Sequence, residues 1–282
     1  MYLLWAISGQ MIKNIAKEGL RSIVQSYDFY FIDLWGVIHN GIKLHNKAIE
    51  ALSKISEAKK SYILLTNAPR LNLNVQTFLK KMNMDKNMVE KVYTSGQAAL
   101  SYLKKNHLTD NFFHIGPTRD YDLFIDFNNF RTDDINKSDY FLCTGLYDQH
   151  SEDLNYYEKL LIDFVSKKMI CTNPDLVVDR GENREYCAGS VAKIFESLGG
   201  KVIYFGKPYA EIYKQAVKKN SKNILAIGDN LNTDIKGASN MNYDSLLITS
   251  GIHKKEIAEN GIEKVLKKYD AKVTFLQNEL EW

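Results

Sequence analysis

The sequence predicts an α/β protein: a parallel sheet covered on both faces by helices, interrupted by a second α/β unit. Three observations carry this. Short runs rich in β-branched and aromatic residues alternate along the chain with amphipathic segments. The runs nearest the two ends, such as "FYFIDL" (Phe29–Leu34) and "NILAIGD" (Asn223–Asp229), are apolar throughout rather than alternating. That is the pattern of strands buried on both faces, as in a parallel sheet between helical layers. The middle of the chain reads differently, with shorter strands and a polar stretch, and the doubly wound pattern resumes after it.

Taken in order, the strands of the main sheet are expected at Phe29–Leu34, Tyr62–Thr66, Lys91–Ser95, Lys201–Gly206, Asn223–Asp229 and Ser245–Gly251. Amphipathic periodicity places helices at Lys47–Lys59, Asn74–Met82, Gly96–Lys105, Ala210–Lys219 and Thr233–Ser239. The inserted unit holds "FFHIG", "YFLCTG" and "KMICTN", the polar stretch Thr132–Asp139 and a helix over Asp153–Ser166. The expected organisation is a split core, residues 12–103 and 200–282, around an inserted domain at 104–199.

Composition narrows the function classes. The chain has 282 residues, 45% hydrophobic and 25% charged, ordinary for a globular protein with one large or two moderate domains. Its 37 basic and 34 acidic residues leave a net charge of +3, too balanced to argue for nucleic acid or a membrane surface as partner. Lysines in runs such as "VLKKYDAK" read as a solvated helix face. Three cysteines, Cys143, Cys171 and Cys187, share no C-x-x-C spacing, which argues against a disulfide framework or zinc site and for reduced thiols in a cytoplasm. The apolar opening "MYLLWAISGQM" lacks a basic flank and is shorter than the ~18 residues of a membrane span. Residues 1–10 therefore read as an extension before Met11; the alternative is a weak surface anchor.

Ligands of open α/β sheets bind beyond the carboxyl ends of the strands. Four expected strand ends carry polar residues: Asp33; Thr66 with Asn67; Lys207; and Asp229 followed by Asp234 in "AIGDNLNTDIKGA". One Asp after a strand is more often a turn or helix-cap residue. All four together suit phosphoryl transfer. Asp33 can act as nucleophile. Asp33, Asp229 and, as a third candidate, Asp234 offer hard oxygen ligands for Mg²⁺. Thr66 and the N–H groups after it can bind phosphate oxygens, and Lys207 supplies positive charge.

In this set and order the chain resembles the haloacid dehalogenase superfamily, in particular its capped class with the NagD-like and pyridoxal-phosphatase-like enzymes. The likeness runs from about Lys17 to the end. It implies a Rossmann-like core with a large α/β cap inserted between the second and third motifs. It also implies a Mg²⁺-dependent phosphatase acting on a small phosphorylated molecule: a sugar phosphate, nucleotide or cofactor phosphate. Asp33 would be the nucleophile, Thr66 the phosphate-binding hydroxyl, and Asp229 and Asp234 the acidic metal motif, with Lys207 the motif lysine. "TNPD" (Thr172–Asp175) and "CAGS" (Cys187–Ser190) resemble cap segments. By that likeness Asn173, Asp175 and Arg180 would face the substrate, the alternative being a cap turn. Caps of this class often contribute to dimer contacts, which makes a homodimer an expectation too.

One position departs from the pattern. Most phosphatases of the family have a second Asp two residues after the nucleophile, serving as general acid and base; here it is Trp35. An indole N–H cannot do acid–base work. The metal is not lost with it, since the family uses only the backbone carbonyl of this residue, so Trp35 remains an expected ligand. Three readings stay open. The chain is a slowed phosphatase, favouring good leaving groups or using another acid such as His39. Or it binds a phosphorylated ligand with little or no catalysis. Or it is dehalogenase-like, since dehalogenases also place an aromatic residue here, although they do not need the metal that "GDNLNTD" implies.

Overall fold

The computed structural model describes residues 4–7, 10–180, 183–217 and 221–282. The chain divides into two compact units, one of residues 1–66, 78–92 and 216–282, the other of residues 67–77 and 93–215.

The first unit is built on β1 (Leu4–Ile7), β2 (Gln10–Asn14), β3 (Phe29–Ile32) and β4 (Ser61–Thr66). The chain passes towards the second unit within β5 (Val92–Thr94). The second unit contains β6 (Phe112–Ile115), β7 (Tyr140–Cys143), β8 (Lys168–Cys171), β9 (Val177–Arg180), β10 (Asn183–Tyr186) and β11 (Lys201–Tyr204). The first unit then resumes with β12 (Ile224–Gly228), β13 (Asp244–Ile248) and β14 (Phe275–Gln277).

The main sheet runs β1-β2-β14-β13-β12-β3-β4-β5. Its central strands are parallel, with Phe31 of β3 in register with Ala226 of β12 on one side and Ile63 of β4 on the other. Every residue of β3 and of β12 is buried. This is why both runs are apolar at each position rather than alternately. Fully burying a Phe or Ile side chain is worth about 1.5–3 kcal/mol each, so Phe29, Phe31 and Ile32 commit β3 to the centre of the sheet. The chain moves from β3 outward to β4 and later returns to β12 on the opposite side. The reversal of strand order lies between β3 and β12, the switch point where such sheets bind ligands. Behind it Leu231, Ile235, Leu247, Val265 and Leu266 form a buried cluster that seats the turn following β12.

The second unit holds a four-stranded parallel sheet, β11-β8-β7-β6, and the antiparallel hairpin β9–β10. Phe141, Tyr157, Met169, Val191 and Phe195 pack as its core. Here one expectation is corrected: Lys201–Tyr204 does not return to the main sheet but pairs in parallel with β8, Val202 opposite Met169. The physical reason lies in its partners, since Val202 and Tyr204 pack on the apolar cluster around Phe195.

The fold class is as expected: α/β, a Rossmann-like parallel sheet with an inserted α/β unit. The expected helices appear at Asn46–Glu57, Asn72–Lys81, Ser95–Asn106 and Ala210–Ala216. The last was expected to reach Lys219, which lies outside the described residues. Over Thr233–Ser239 there is instead a π-helical turn, Leu231–Ile235, leading into a short helix, Lys236–Asn240. No helix among the described residues is long and apolar enough to cross a membrane. The three cysteines are buried free thiols, and burial pushes Cys171 up to about 12.

Candidate active site

Because β3, β4 and β12 are parallel and in register, their carboxyl ends share one edge of the main sheet. Asp33 is the first residue past β3, with its N–H donated to the Ile227 carbonyl at 2.9 Å. Asp229 is the first residue past β12, and Asp234 lies in the π-helical turn that follows. Each of the three offers a carboxylate oxygen within 4.8 Å of the other two. All are nearly inaccessible, at 8%, 5% and 3% exposure.

Three buried carboxylates so close are electrostatically expensive. At an effective dielectric near 20, two like charges 4.8 Å apart repel by about 3 kcal/mol. Positive charge supplied at the centre reverses that sign, and an all-oxygen, all-carboxylate donor set is what Mg²⁺ or Ca²⁺ takes, not a thiolate- or imidazole-seeking metal. The residues present therefore fit the divalent cation that the sequence implied.

The surrounding backbone fixes this geometry. Asp229 Oδ2 accepts the Ile252 N–H at 2.8 Å. Asp234 Oδ2 accepts the Asn230 N–H at 3.1 Å, and Asn230 Oδ1 accepts the Asn232 N–H at 2.9 Å. Two glycines admit the Asp229 carboxylate. Gly36 has φ +83°, and a Cβ there would lie 2.1 Å from Oδ2; at Gly251 it would lie 2.0 Å away. Thr66, the last residue of β4, is buried at 7% exposure.

The other expected residues fall in the second unit. Asn67 Nδ2 donates to Asp175 Oδ1 and to the Lys207 carbonyl, both at 3.0 Å, while Asn67 Oδ1 accepts the Lys207 N–H at 2.7 Å. Asn173 Oδ1 accepts the Asp175 N–H at 3.0 Å. The structure thus gathers Asn67, Asn173, Asp175 and Lys207 into one buried or half-buried network beyond β8 and β11. Arg180 ends β9, opposite Asn183, and its side chain lies outside the described residues.

Trp35 is half-buried, its ring edge-on to His39 at 5.1 Å and its six-membered ring packed beneath Gly41. His39 is the residue the sequence offered as a substitute acid, and its surroundings argue against that role. It is buried, its Nδ1 accepts the Gly41 N–H at 3.0 Å, and burial pushes its pKa down to about 4. At neutral pH it is an uncharged imidazole, a poor proton donor.

Sequence reasoning missed the segment Gly251–His253. Its signal was present in "ITSGIH": a glycine closing an expected strand, at the same sheet edge as Asp33 and Asp229.

Known proteins place the chain among hydrolases. Residues 30–128 match a family model described as haloacid dehalogenase-like hydrolase, and residues 204–271 match one described as HAD-hydrolase-like. The chain belongs to the haloacid dehalogenase-like hydrolase family. A crystal structure of a hydrolase of that family from Brucella suis 1330 is 31% identical with a TM-score of 0.81, covering 93% of this chain and 98% of that one. A 5′-nucleotidase of Bacillus subtilis (strain 168) is 24% identical over 86% of this chain and 94% of its own. An acid sugar phosphatase of Staphylococcus epidermidis is 23% identical over 81% of this chain and 89% of its own.

Proposed function

We propose that this hydrolase is a Mg²⁺-dependent phosphatase of small phosphomonoesters, working through an aspartyl-phosphate on Asp33. The observation that carries this is the buried Asp33–Asp229–Asp234 cluster at the switch point, with Asp33 directly past the central strand. The similar nucleotidase and sugar phosphatase support nucleotides and sugar phosphates as the substrate class; cofactor phosphates are the third candidate.

Asp33 Oδ attacks phosphorus; the bond from phosphorus to the leaving oxygen breaks, and that oxygen takes a proton. Water then attacks the phosphorus, the bond to Asp33 breaks and inorganic phosphate leaves. Asp33, Asp229, Asp234 and the Trp35 carbonyl would hold Mg²⁺, which would supply positive charge to the phosphoryl oxygens when bound. Thr66 orients those oxygens, and Lys207 offsets the charge on the transferring group. Asn67 serves the substrate as well, and Asn173, Asp175 and Arg180 serve it from the inserted unit, which acts as the cap. The chain works in the cytoplasm, and self-association as a homodimer is read directly by sedimentation.

With Trp35 in the acid's place, the leaving oxygen is protonated by water. The lost general catalysis is worth roughly 10²–10⁴-fold, or about 3–5 kcal/mol of barrier. Neutral His39 supports the second reading, a protein that binds phosphorylated ligands with little turnover.

The test is hydrolysis of p-nitrophenyl phosphate and a panel of alkyl phosphomonoesters, with Mg²⁺ and with EDTA, by wild type and Asp33→Asn. Activity that needs both Mg²⁺ and Asp33, and is strongest on the nitrophenyl ester, is the expected result. Activity that persists in Asp33→Asn removes the nucleophile assignment. Silence across the panel with Mg²⁺ still bound moves the assignment to the binding protein.

A further inference from the structure

The turn that carries Asp234 begins with backbone N–H groups that no helical carbonyl can satisfy. Side chains take three in succession: Asp234 accepts from Asn230, His253 Nε2 accepts from Leu231 at 3.2 Å, and Asn230 accepts from Asn232. Leu231 is buried, at 2% exposure, so its N–H left unpaired there would cost free energy comparable to a lost hydrogen bond.

His253 is itself held. Accepting at Nε2 leaves its proton on Nδ1, which faces Glu256 Oε2 at 3.4 Å. Glu256 in turn accepts from Lys268 Nζ at 2.6 Å and from the Tyr269 hydroxyl at 3.1 Å. The Lys268 hydrogen bond keeps its carboxylate below the usual range, and Tyr269 packs edge-on against the imidazole at 4.8 Å. Next to His253 in the chain, Ile252 donates its N–H to Asp229. One short segment therefore holds the Asp229 carboxylate with one residue and the turn presenting Asp234 with the next.

We infer that His253 is a positioning residue of the acidic site, a fixed imidazole that holds the Leu231 N–H and so sets where Asp229 and Asp234 point. This rests on reading Asp33, Asp229 and Asp234 as the cation site. A histidine oriented by a carboxylate is a familiar way of fixing a tautomer around a metal centre. Here the other ring nitrogen grips the backbone of the ligand-bearing turn instead of the ion.

The experiment is calorimetric titration of the substrate-free full chain with MgCl₂, alongside the unfolding midpoint of each variant. His253→Phe keeps the ring against Tyr269 but has no acceptor. His253→Gln restores an acceptor at the position of Nε2, while His253→Asn is polar but too short to reach Leu231. The expected result is a Kd for Mg²⁺ raised roughly 10-fold or more by Phe and by Asn, the range found for outer partners of metal ligands. Gln is expected to stay within roughly threefold of wild type. Should Phe fail to fold, Asn carries the same comparison.

Wild-type Mg²⁺ affinity in Phe or Asn, with only the unfolding midpoint lowered, overturns the inference, since His253 would then be a cap for the fold alone. Gln binding as weakly as Phe overturns it also. No Mg²⁺ binding by wild type, or undiminished binding by Asp229→Asn, sinks the cation-site reading and the inference with it. Those two outcomes are visible before any His253 variant is compared.

Discussion

Replacing Gly36 with alanine perturbs the acidic site through one methyl group. Gly36 has φ +83°, where a side chain costs about 1–2 kcal/mol. Its new Cβ would lie 2.1 Å from Asp229 Oδ2 and 2.7 Å from Cγ, where contacts under 3.0 Å essentially do not occur. The carboxylate has to recede by nearly 1 Å. It is short, its Oδ2 is tied to the Ile252 N–H at 2.8 Å, and the Gly251 backbone crowds the same oxygen. A displacement of that size breaks the bond to Ile252, a charged hydrogen bond worth about 1.5–3 kcal/mol. The backbone strain lowers stability, whereas the carboxylate shift lowers cation affinity, by roughly 10- to 100-fold. Mg²⁺ titration calorimetry of Gly36→Ala beside wild type reads the second, and denaturant unfolding reads the first. Wild-type Mg²⁺ affinity in a folded Gly36→Ala chain would refute the reasoning, because it would mean that Asp229 does not need its observed position to hold the ion.

Two further outcomes are expected. On the proposed mechanism Trp35→Asp supplies a general acid and should raise turnover of alkyl phosphates by up to roughly 10²-fold while changing p-nitrophenyl phosphate far less; an equal gain on both, or no gain, would show a site rebuilt around the indole. His39 predicts acid sensitivity. Its folded pKa, about 4, lies below the unfolded value of 6.5, so the unfolded chain binds the extra proton first. Stability is therefore full above about 6.5 and falls as pH drops towards 4, by up to about 3 kcal/mol from this group. His39→Asn keeps an acceptor for the Gly41 N–H and should flatten the dependence of unfolding free energy on pH in that window. An unchanged slope would show that His39 is not the group responsible.

How much could be read from sequence follows from the range of the interactions. β3 and β12 were legible because burial on both faces writes itself into consecutive residues, and Asp33 and Asp229 were legible because a carboxylate directly past such a run is conspicuous. The strand at Lys201–Tyr204 was also legible as a strand, but not its sheet. A parallel strand pairs through distant neighbours, and nothing local distinguishes a partner at Lys168–Cys171 from one in the main sheet. The hairpin β9–β10 and the short β14 went unseen; β10 is exposed at every position, and β14 has only three residues in which to show a pattern.

The amino-acid sequence by itself determined the fold class, the central strands, the acidic residues at their ends and the indole of Trp35 two residues past Asp33. All of these are local: hydrophobic runs, residue types and spacing. Tertiary structure alone decided the protonation state of His39, because desolvation depends on what packs around a side chain. It alone brought Gly36, Gly251 and Ile252 against Asp229, and His253 against Leu231, contacts spanning from 22 residues to more than 190 along the chain. Which backbone N–H a side chain will meet is settled only when the sheet edge closes around the carboxylates.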